Sequence, residues 1–384
     1  MTDITHATDK ERAAAEAEEF LDDVERGMAG GNIGLKIKYK KLQSWVHGLH
    51  RSRYYLLGAD SGVGKTTLAD DLLLDAWEDA KSKGMPFKVL YYSLEISRRD
   101  KIAKWVARRV FRTTGRNLPA DYILNRIEEV RLTDEDRVLV GSAMEWIKEV
   151  LEDIQIVDII KHPTAMLNDV IHEMEKHGTI TWIKGKDGKD YIKSYQRTDS
   201  NLFFFWVIDH LALVNEEANL SIKQTIDRVS KYAVLTRNKL GVSPLFIQQF
   251  STDMQSAERT NKGKLSDGSL APQRLDFGDS KYTYRDADVV VGMIKPLQFD
   301  KDMFMGYNLL APVGSGTVWG DFFVSAFLMK NRFGIENRVD HLILNGMAST
   351  FLAEAPDKSN MFFMDEMNDT LKDLDKWQSR YQPQ

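Results

Sequence analysis

The run Ala59-Asp60-Ser61-Gly62-Val63-Gly64-Lys65-Thr66-Thr67 places two glycines, a lysine and two hydroxyls in a single short stretch. Glycine at 62 and 64 lets successive backbone N–H groups curl around an anion with no Cβ in the way. Lys65 then offers an ammonium to β- and γ-phosphate oxygens, and the Thr66 hydroxyl offers a ligand to Mg2+. The run follows the apolar stretch Tyr54–Gly58 and opens a helical pattern, the context a phosphate-binding loop requires. A helix N-terminus there adds partial positive charge. Ser61, Gly62, Val63, Gly64, Lys65, Thr66 and Thr67 are therefore the candidate cofactor-binding residues, for ATP or another nucleoside triphosphate with Mg2+. The leading residue is Ala59 rather than Gly, so the match is to a relaxed form of the pattern.

Other chemistry-bearing residues stand at the ends of apolar runs. Glu95 follows Val89–Leu94, where a carboxylate can orient and activate an attacking water, or simply be solvated. Asp209 closes Phe203–Ile208 and suits a Mg2+ partner acting through water, the alternative being a turn cap. His210 beside it reads as a packed or exposed histidine rather than a ligand. Gln249 ends a further run, where an amide can sense a γ-phosphate, although Gln248 is adjacent and either could be a loop residue. Lys330 and Arg332 follow Phe322–Met329 and, two apart on an extended chain, point the same way. Such a pair is either a solvated edge or a finger acting on a neighbour's nucleotide.

These positions need a mostly parallel α/β sheet to bring them together. Strands are expected at Tyr54–Gly58, Lys88–Ser93, Ile154–Val157, Leu202–Ile208, Leu245–Gln249, Val289–Ile294 and Phe322–Met329. Several are near-continuous apolar runs, as for strands covered on both faces. Helices are expected over 65–82, 97–113, 133–151, 164–177 and 222–240, alternating with the strands. Residues 1–31 form an acidic leading segment, a helix over 10–28 with Phe20, Leu21, Val24 and Met28 along one stripe, ended by an Ala29-Gly30-Gly31 hinge. Residues 32–355 then form one phosphate-loop ATPase domain and 356–384 a tail with an amphipathic segment near 364–377. A β-hairpin around Lys186-Asp187-Gly188-Lys189 occupies 179–200, and 297–320 looks like a second insertion. Residues 251–288 read as one long, polar loop, of a length that is usually functional or disordered.

Composition narrows the setting. The chain has 384 residues, no cysteine and a net charge of −5, so thiolate chemistry is excluded and a cytoplasmic setting is expected. No stretch approaches the roughly 18–20 apolar residues of a membrane span. Outside the acidic first 30 residues the chain is near neutral, which still permits nucleic-acid binding through a few channel-facing loops.

Taken in order, the motifs resemble the C-terminal RecA-like motor domain of DnaB-type replicative DNA helicases. The resemblance spans roughly residues 32–352 and rests on six motifs. They are the phosphate loop, Ser93-Leu94-Glu95-Ile96-Ser97, Val207-Ile208-Asp209-His210-Leu211, Ile247-Gln248-Gln249-Phe250, Arg285-Asp286-Ala287-Asp288-Val289-Val290, and Lys330-Asn331-Arg332-Phe333-Gly334. It implies Glu95 as catalytic base, Asp209 as magnesium acid, Gln249 as sensor, and Lys330 with Arg332 as a trans-acting finger. It implies a homo-hexameric ring around single-stranded DNA, contacted near Glu216–Gln224 and Asp276–Lys281, with Lys223, Gly278, Asp279 and Lys281 as candidates. Gly278 stands where the family usually has Arg. A primase-contacting N-terminal domain is not expected in so short a leading segment. The chain thus resembles a minimal, phage-like helicase, or one served by a separate primase or loader. The competing expectations are a RecA-like recombinase or clock-type ATPase, and a non-motor nucleotide switch that controls assembly.

Overall fold

The computed structural model describes residues 9–28, 30–251, 270–278, 281–314 and 316–381. The chain begins with helices α1 (Asp9–Met28) and α2 (Lys40–Val46), then β1 (Tyr55–Ala59), α3 (Lys65–Ser82), β2 (Phe87–Ser93) and α4 (Arg98–Thr114). It continues through α5 (Ala120–Ile123), α6 (Asp134–Asp153), β3 (Ile154–Val157) and α7 (Pro163–Glu175). A hairpin of β4 (Gly178–Lys184) and β5 (Asp190–Arg197) precedes β6 (Phe203–Asp209), α8 (Ile222–Leu240) and β7 (Ser243–Gln249). The last part holds α9 (Lys281–Asp286), β8 (Val289–Ile294), β9 (Met303–Phe304), β10 (Tyr307–Asn308), β11 (Phe323–Asn331), β12 (Arg338–Asn345), β13 (Thr350–Glu354) and α10 (Met361–Tyr381).

Nine strands make one sheet in the order β13-β12-β11-β8-β1-β7-β6-β2-β3. From β8 to β3 all neighbours are parallel, while β11, β12 and β13 add an antiparallel edge. Strand residues alternate between the two faces. Leu57, Val89, Tyr91, Phe205 and Val207 join one core with Leu68, Trp105 and Ile147 from α3, α4 and α6. Leu56, Leu90, Tyr92, Phe204 and Trp206 join the other with Met166, Val170, Val229 and Ala233 from α7 and α8. Covering on both faces explains why Phe203–Asp209 is buried at every position.

Because these strands run parallel, their carboxyl ends meet at one sheet edge. Ala59 pairs with Gln249, and Ser93 with Asp209, so the phosphate loop, Glu95, Asp209 and Gln249 all leave the sheet on that side. This is the crevice where open α/β sheets bind ligands.

Three expectations change. The segment 251–288 is not one loop: residues 252–269 lie outside the described residues, but Arg274–Phe277 forms a 3-10 turn and Lys281–Asp286 a helix. Phe277 is buried there, packed against Phe250 over Gly58, where any Cβ would strike both rings. The strand expected to stop at Met329 runs to Asn331, so Lys330 belongs to β11 and only Arg332 follows it. Strands β12 and β13 are additional to the expected set, because buried Asp340, His341 and Asn345 break the apolar pattern of β12.

Candidate nucleotide site

The phosphate loop leaves β1 at Ala59 and enters α3 at Lys65. Gly62 and Gly64 have φ of 76° and 99°, left-handed values that a side chain would strain. At Gly62 a Cβ would meet only Gln298 Nε2 at 3.6 Å, so conformation rather than crowding requires glycine there. Gly64 caps α3 and supplies no side-chain acceptor, which leaves the first-turn N–H groups free of a side-chain cap. Val63 anchors the loop in the core, Lys65 is buried, Thr66 and Thr67 are half-buried, and Ser61 and Gly62 are exposed.

Across the crevice the Thr66 hydroxyl donates to Asp209 Oδ1 at 3.0 Å. That hydroxyl–carboxylate pair is the donor set expected beside a phosphate-bound Mg2+, which keeps several waters and takes few protein ligands. Among the described residues no group of three or more His, Cys, Asp or Glu side chains is gathered.

The other oxygen of Asp209 is held from behind. Lys101 Nζ and the Tyr91 hydroxyl each lie 3.4 Å from Asp209 Oδ2. Lys101 Nζ also lies 3.2 Å from Asp70 Oδ2 and donates to Tyr91 Oη at 2.9 Å, and Tyr91 donates to Asp70 Oδ1 at 2.9 Å. All four side chains are buried. Burial, with Asp209 adding to it, raises the Asp70 carboxyl above its ordinary range against the pull of Lys101. Burial and then Asp70 hold the Tyr91 hydroxyl well above its own range, so it stays a donor. Sequence reasoning missed Asp70, Tyr91 and Lys101. The available signal was charge on the buried stripe of α4, where Lys101 precedes Trp105 by four residues and Arg108 by seven.

Glu95 sits on an exposed bend just past β2. Leu94 N–H donates to Asp209 O at 2.8 Å and Ser93 Oγ to Ile96 O at 2.8 Å, fixing that bend beside the Asp209 strand. The adjacent helix is started by Ser97, whose Oγ accepts from Asp100 N at 3.2 Å. His210 is buried, and its Nδ1 has no hydrogen-bond partner among the described residues. Burial and then Lys65 hold its pKa below the ordinary value, against Glu95 and Asp209. One imidazole thus feels the charges of Lys65, Glu95 and Asp209 together.

The two adjacent glutamines divide. Gln249 is exposed at the end of β7 beside Ala59, whereas Gln248 is buried, donating to Phe277 O and accepting from Thr283 Oγ1 at 2.8 Å. Gln248 therefore ties the strand beside the phosphate loop to α9, the helix that follows the second candidate DNA loop.

Lys330 and Arg332 converge as expected, but on their own chain. Lys330 Nζ donates to the carbonyls of Tyr284, Arg285 and Ala287 at 3.0, 2.7 and 2.7 Å, holding the carboxyl end of α9. Arg332 donates to Arg285 O at 2.7 Å and to Asp288 Oδ1 at 3.0 Å. Burial and then Arg332 push Lys330 down to about 8. Asn331 is in register with Val289, which is in register with Tyr55, the first residue of β1. The phosphate loop begins beyond the last residue of β1, roughly 13 Å away along the strand. The pair therefore lies at the opposite sheet edge from its own phosphate loop.

Of the candidate DNA contacts, Lys223 is exposed on the first turn of α8, whose start is fixed by a Ser221–Gln224 capping box. Gly278 ends the 3-10 turn with φ of 67°. Asp279 and the side chain of Lys281 lie outside the described residues. The helices behind the two loops pack together, with Ser230 of α8 donating to Asp286 of α9 at 3.0 Å.

Residues 34–161 match the AAA domain family. Among solved structures, an ATPase domain superposes with a TM-score of 0.63, covering 88% of this chain and 98% of that one at 17% identity. The fold is the RecA-like one that this ATPase domain shares. A DnaB-like replicative helicase, described with its primase interactions, superposes with a TM-score of 0.60 at 17% identity. That match covers 88% of this chain and 66% of the helicase, so the chain spans about two thirds of that helicase's length. What is shared at 17% identity is the fold. Among curated proteins none matches the sequence. No helix among the described residues is long and apolar enough to cross a membrane.

Proposed function

We propose that this chain is an ATP-driven ring motor that translocates on single-stranded DNA and unwinds duplex. The observation that carries this reading is the Thr66–Asp209 pair beneath a phosphate loop with no side-chain cap, opposite an edge bearing paired cations. Lys65 and the first N–H groups of α3 would hold the β- and γ-phosphates, with Thr66 and Asp209 orienting Mg2+ directly and through water. When bound, Mg2+ neutralises charge between the two phosphates. Glu95 would take the proton of the attacking water as its oxygen bonds to the γ-phosphorus and the β–γ bridging bond breaks, leaving ADP and phosphate. Gln249 would sense the loss of that phosphate.

The position of Lys330 and Arg332, an edge away from their own phosphate loop, supports a role on a neighbouring subunit's nucleotide, and so a closed homo-oligomer. A hexamer fits the fold family. Lys223, with Gly278, Asp279 and Lys281, would face DNA in the channel, and a separate primase or loader is a further expected partner.

ATP hydrolysis measured with and without a single-stranded oligonucleotide, alongside unwinding of a forked duplex, tests the reading. DNA-stimulated turnover with unwinding is expected, and Glu95→Gln should lose roughly a hundredfold or more in turnover while still binding ATP. Near wild-type turnover in Glu95→Gln would remove Glu95 as base. Stimulation without unwinding would favour the recombinase or clock-type alternative, and turnover indifferent to DNA the assembly switch.

A further inference from the structure

The β4–β5 hairpin takes no part in the site described above. Its base is tied down and its end projects from the body. Arg197 donates to the carbonyls of Leu202 and Gly241 at 3.0 and 2.5 Å, Tyr195 donates to Met174 O at 2.9 Å, and Ile192 is buried in the core against α7 and α8. Toward the turn both arms carry exposed apolar side chains, Trp182 at 42% on the face of Ile192, and Ile183 at 46% with Tyr191 at 50% on the other face. Lys184, Lys186, Lys189 and Lys193 are interleaved with them and all exposed. With Arg197, and against Asp187 and Asp190 alone, the hairpin is +3 in a chain of −5.

Behind the hairpin base Arg51 and Arg197 stand partly buried beside Arg26, and burial first, then neighbouring arginines, holds both below the ordinary arginine pKa. An exposed cationic ribbon with aromatic faces between the charges matches a repeating phosphate backbone whose bases can stack. An acidic protein segment would satisfy the cations and leave the rings bare.

We propose that this hairpin binds single-stranded DNA, at a contact separate from the two loops assigned to the channel; the inference rests on the motor reading. Its base meets the carboxyl end of α8, while Lys223 stands at the amino end of the same 19-residue helix. The two contacts are therefore separated by roughly 28 Å of helix, and a strand passing one loop is guided again at the hairpin.

The test uses the full chain and a fluorescent oligo-dT, with anisotropy titrations over a salt series. Lys184→Ala, Lys186→Ala and Lys189→Ala in one protein change only exposed side chains. Each phosphate contact on a single strand contributes about 0.7 to the slope of log affinity against log salt, so this variant should be shallower by roughly 2 and about tenfold weaker at low salt. Trp182→Ala with Tyr191→Ala should weaken binding roughly thirtyfold or more through lost stacking. In both proteins the thermal midpoint, the ATPase rate without DNA and the mass of the assembly should match wild type. Wild-type affinity and slope in the lysine variant would overturn the proposal even if the aromatic variant misfolds. A fall in assembly mass with unchanged DNA affinity would overturn it in favour of a contact between copies of the chain. A wild-type protein that does not bind the oligonucleotide would overturn both this inference and the motor reading.

Discussion

Replacing Lys101 with methionine removes a cation that touches two buried acids at once. Lys101 Nζ lies 3.2 Å from Asp70 Oδ2 and 3.4 Å from Asp209 Oδ2, and its side chain is fully buried. Two acids sharing one ammonium stand roughly 6 Å apart, and like charges at that separation repel by about 3 kcal/mol at an effective dielectric near 20. That agrees with the ~3–5 kcal/mol usual for breaking a buried ion pair from one side. With a urea m-value of about 3 kcal/mol/M for a chain this large, the unfolding midpoint should fall by roughly 1 M. Circular dichroism in urea measures it.

The cost should also depend on pH. Burial raises the folded-state pKa of Asp70, so protonation favours the folded chain. The penalty is then absent in acid and grows as pH rises through that folded pKa. Without Lys101 to pull the pKa down, Lys101→Met should lose most at about pH 8 and recover part of the loss as pH falls. Adding Asp70→Asn removes the repulsion and should restore most of the midpoint at that alkaline pH. A single variant within about 0.5 M of wild type, or a double variant no better than the single, would refute the account of Lys101 as the shared counter-charge.

Two further outcomes follow from the proposed ring. Arg332→Ala and Lys65→Ala proteins, each inactive alone, should regain part of the ATPase rate when mixed; no recovery across a range of ratios, with mixed assemblies confirmed by mass, would count against a trans role. The exposed α1 stripe of Phe20, Leu21, Val24 and Met28 is worth roughly 1.5–3 kcal/mol per side chain if buried on a neighbour. Deleting residues 1–30 should therefore shift the assembly toward folded, ATP-binding monomers in light scattering, and full assembly by the truncated chain would end the latch idea.

How much of the fold and site is legible in the sequence follows from how far each feature depends on neighbours along the chain. Helix α3 is legible from Lys65 to Ser82 because a glycine loop and an apolar period bound it locally. The parallel strands are legible because covering on both faces writes itself as an unbroken apolar run, as in Phe203–Asp209. Strand β12 is not, since Asp340 and His341 are buried there with partners remote in sequence, Lys41 at 2.8 Å from the former and Ser325 at 2.9 Å from the latter. The same rule governs the site. The groups that would touch phosphate stand in short motifs at strand ends, where a single stretch of sequence displays them. The groups that hold those in place are recruited from other elements: Lys101 from α4 behind Asp209, and Thr283 from α9 under Gln248.

The finger shows the consequence most directly. As a motif it is two cations after a strand, indistinguishable in sequence from a solvated edge. In the fold both cations grip the last carbonyls of α9, whose other end leads back to the Gly278 loop and whose Thr283 is bound to Gln248 beside the sensor position. A displacement of α9 therefore cannot leave Lys330 and Arg332 where they are without breaking four hydrogen bonds to Tyr284, Arg285 and Ala287. If the Gly278 loop moves with DNA, these cations, which the proposed ring would offer to a neighbouring subunit, move with it. That coupling is a property of the α9 contacts, and no residue of the finger motif carries it alone.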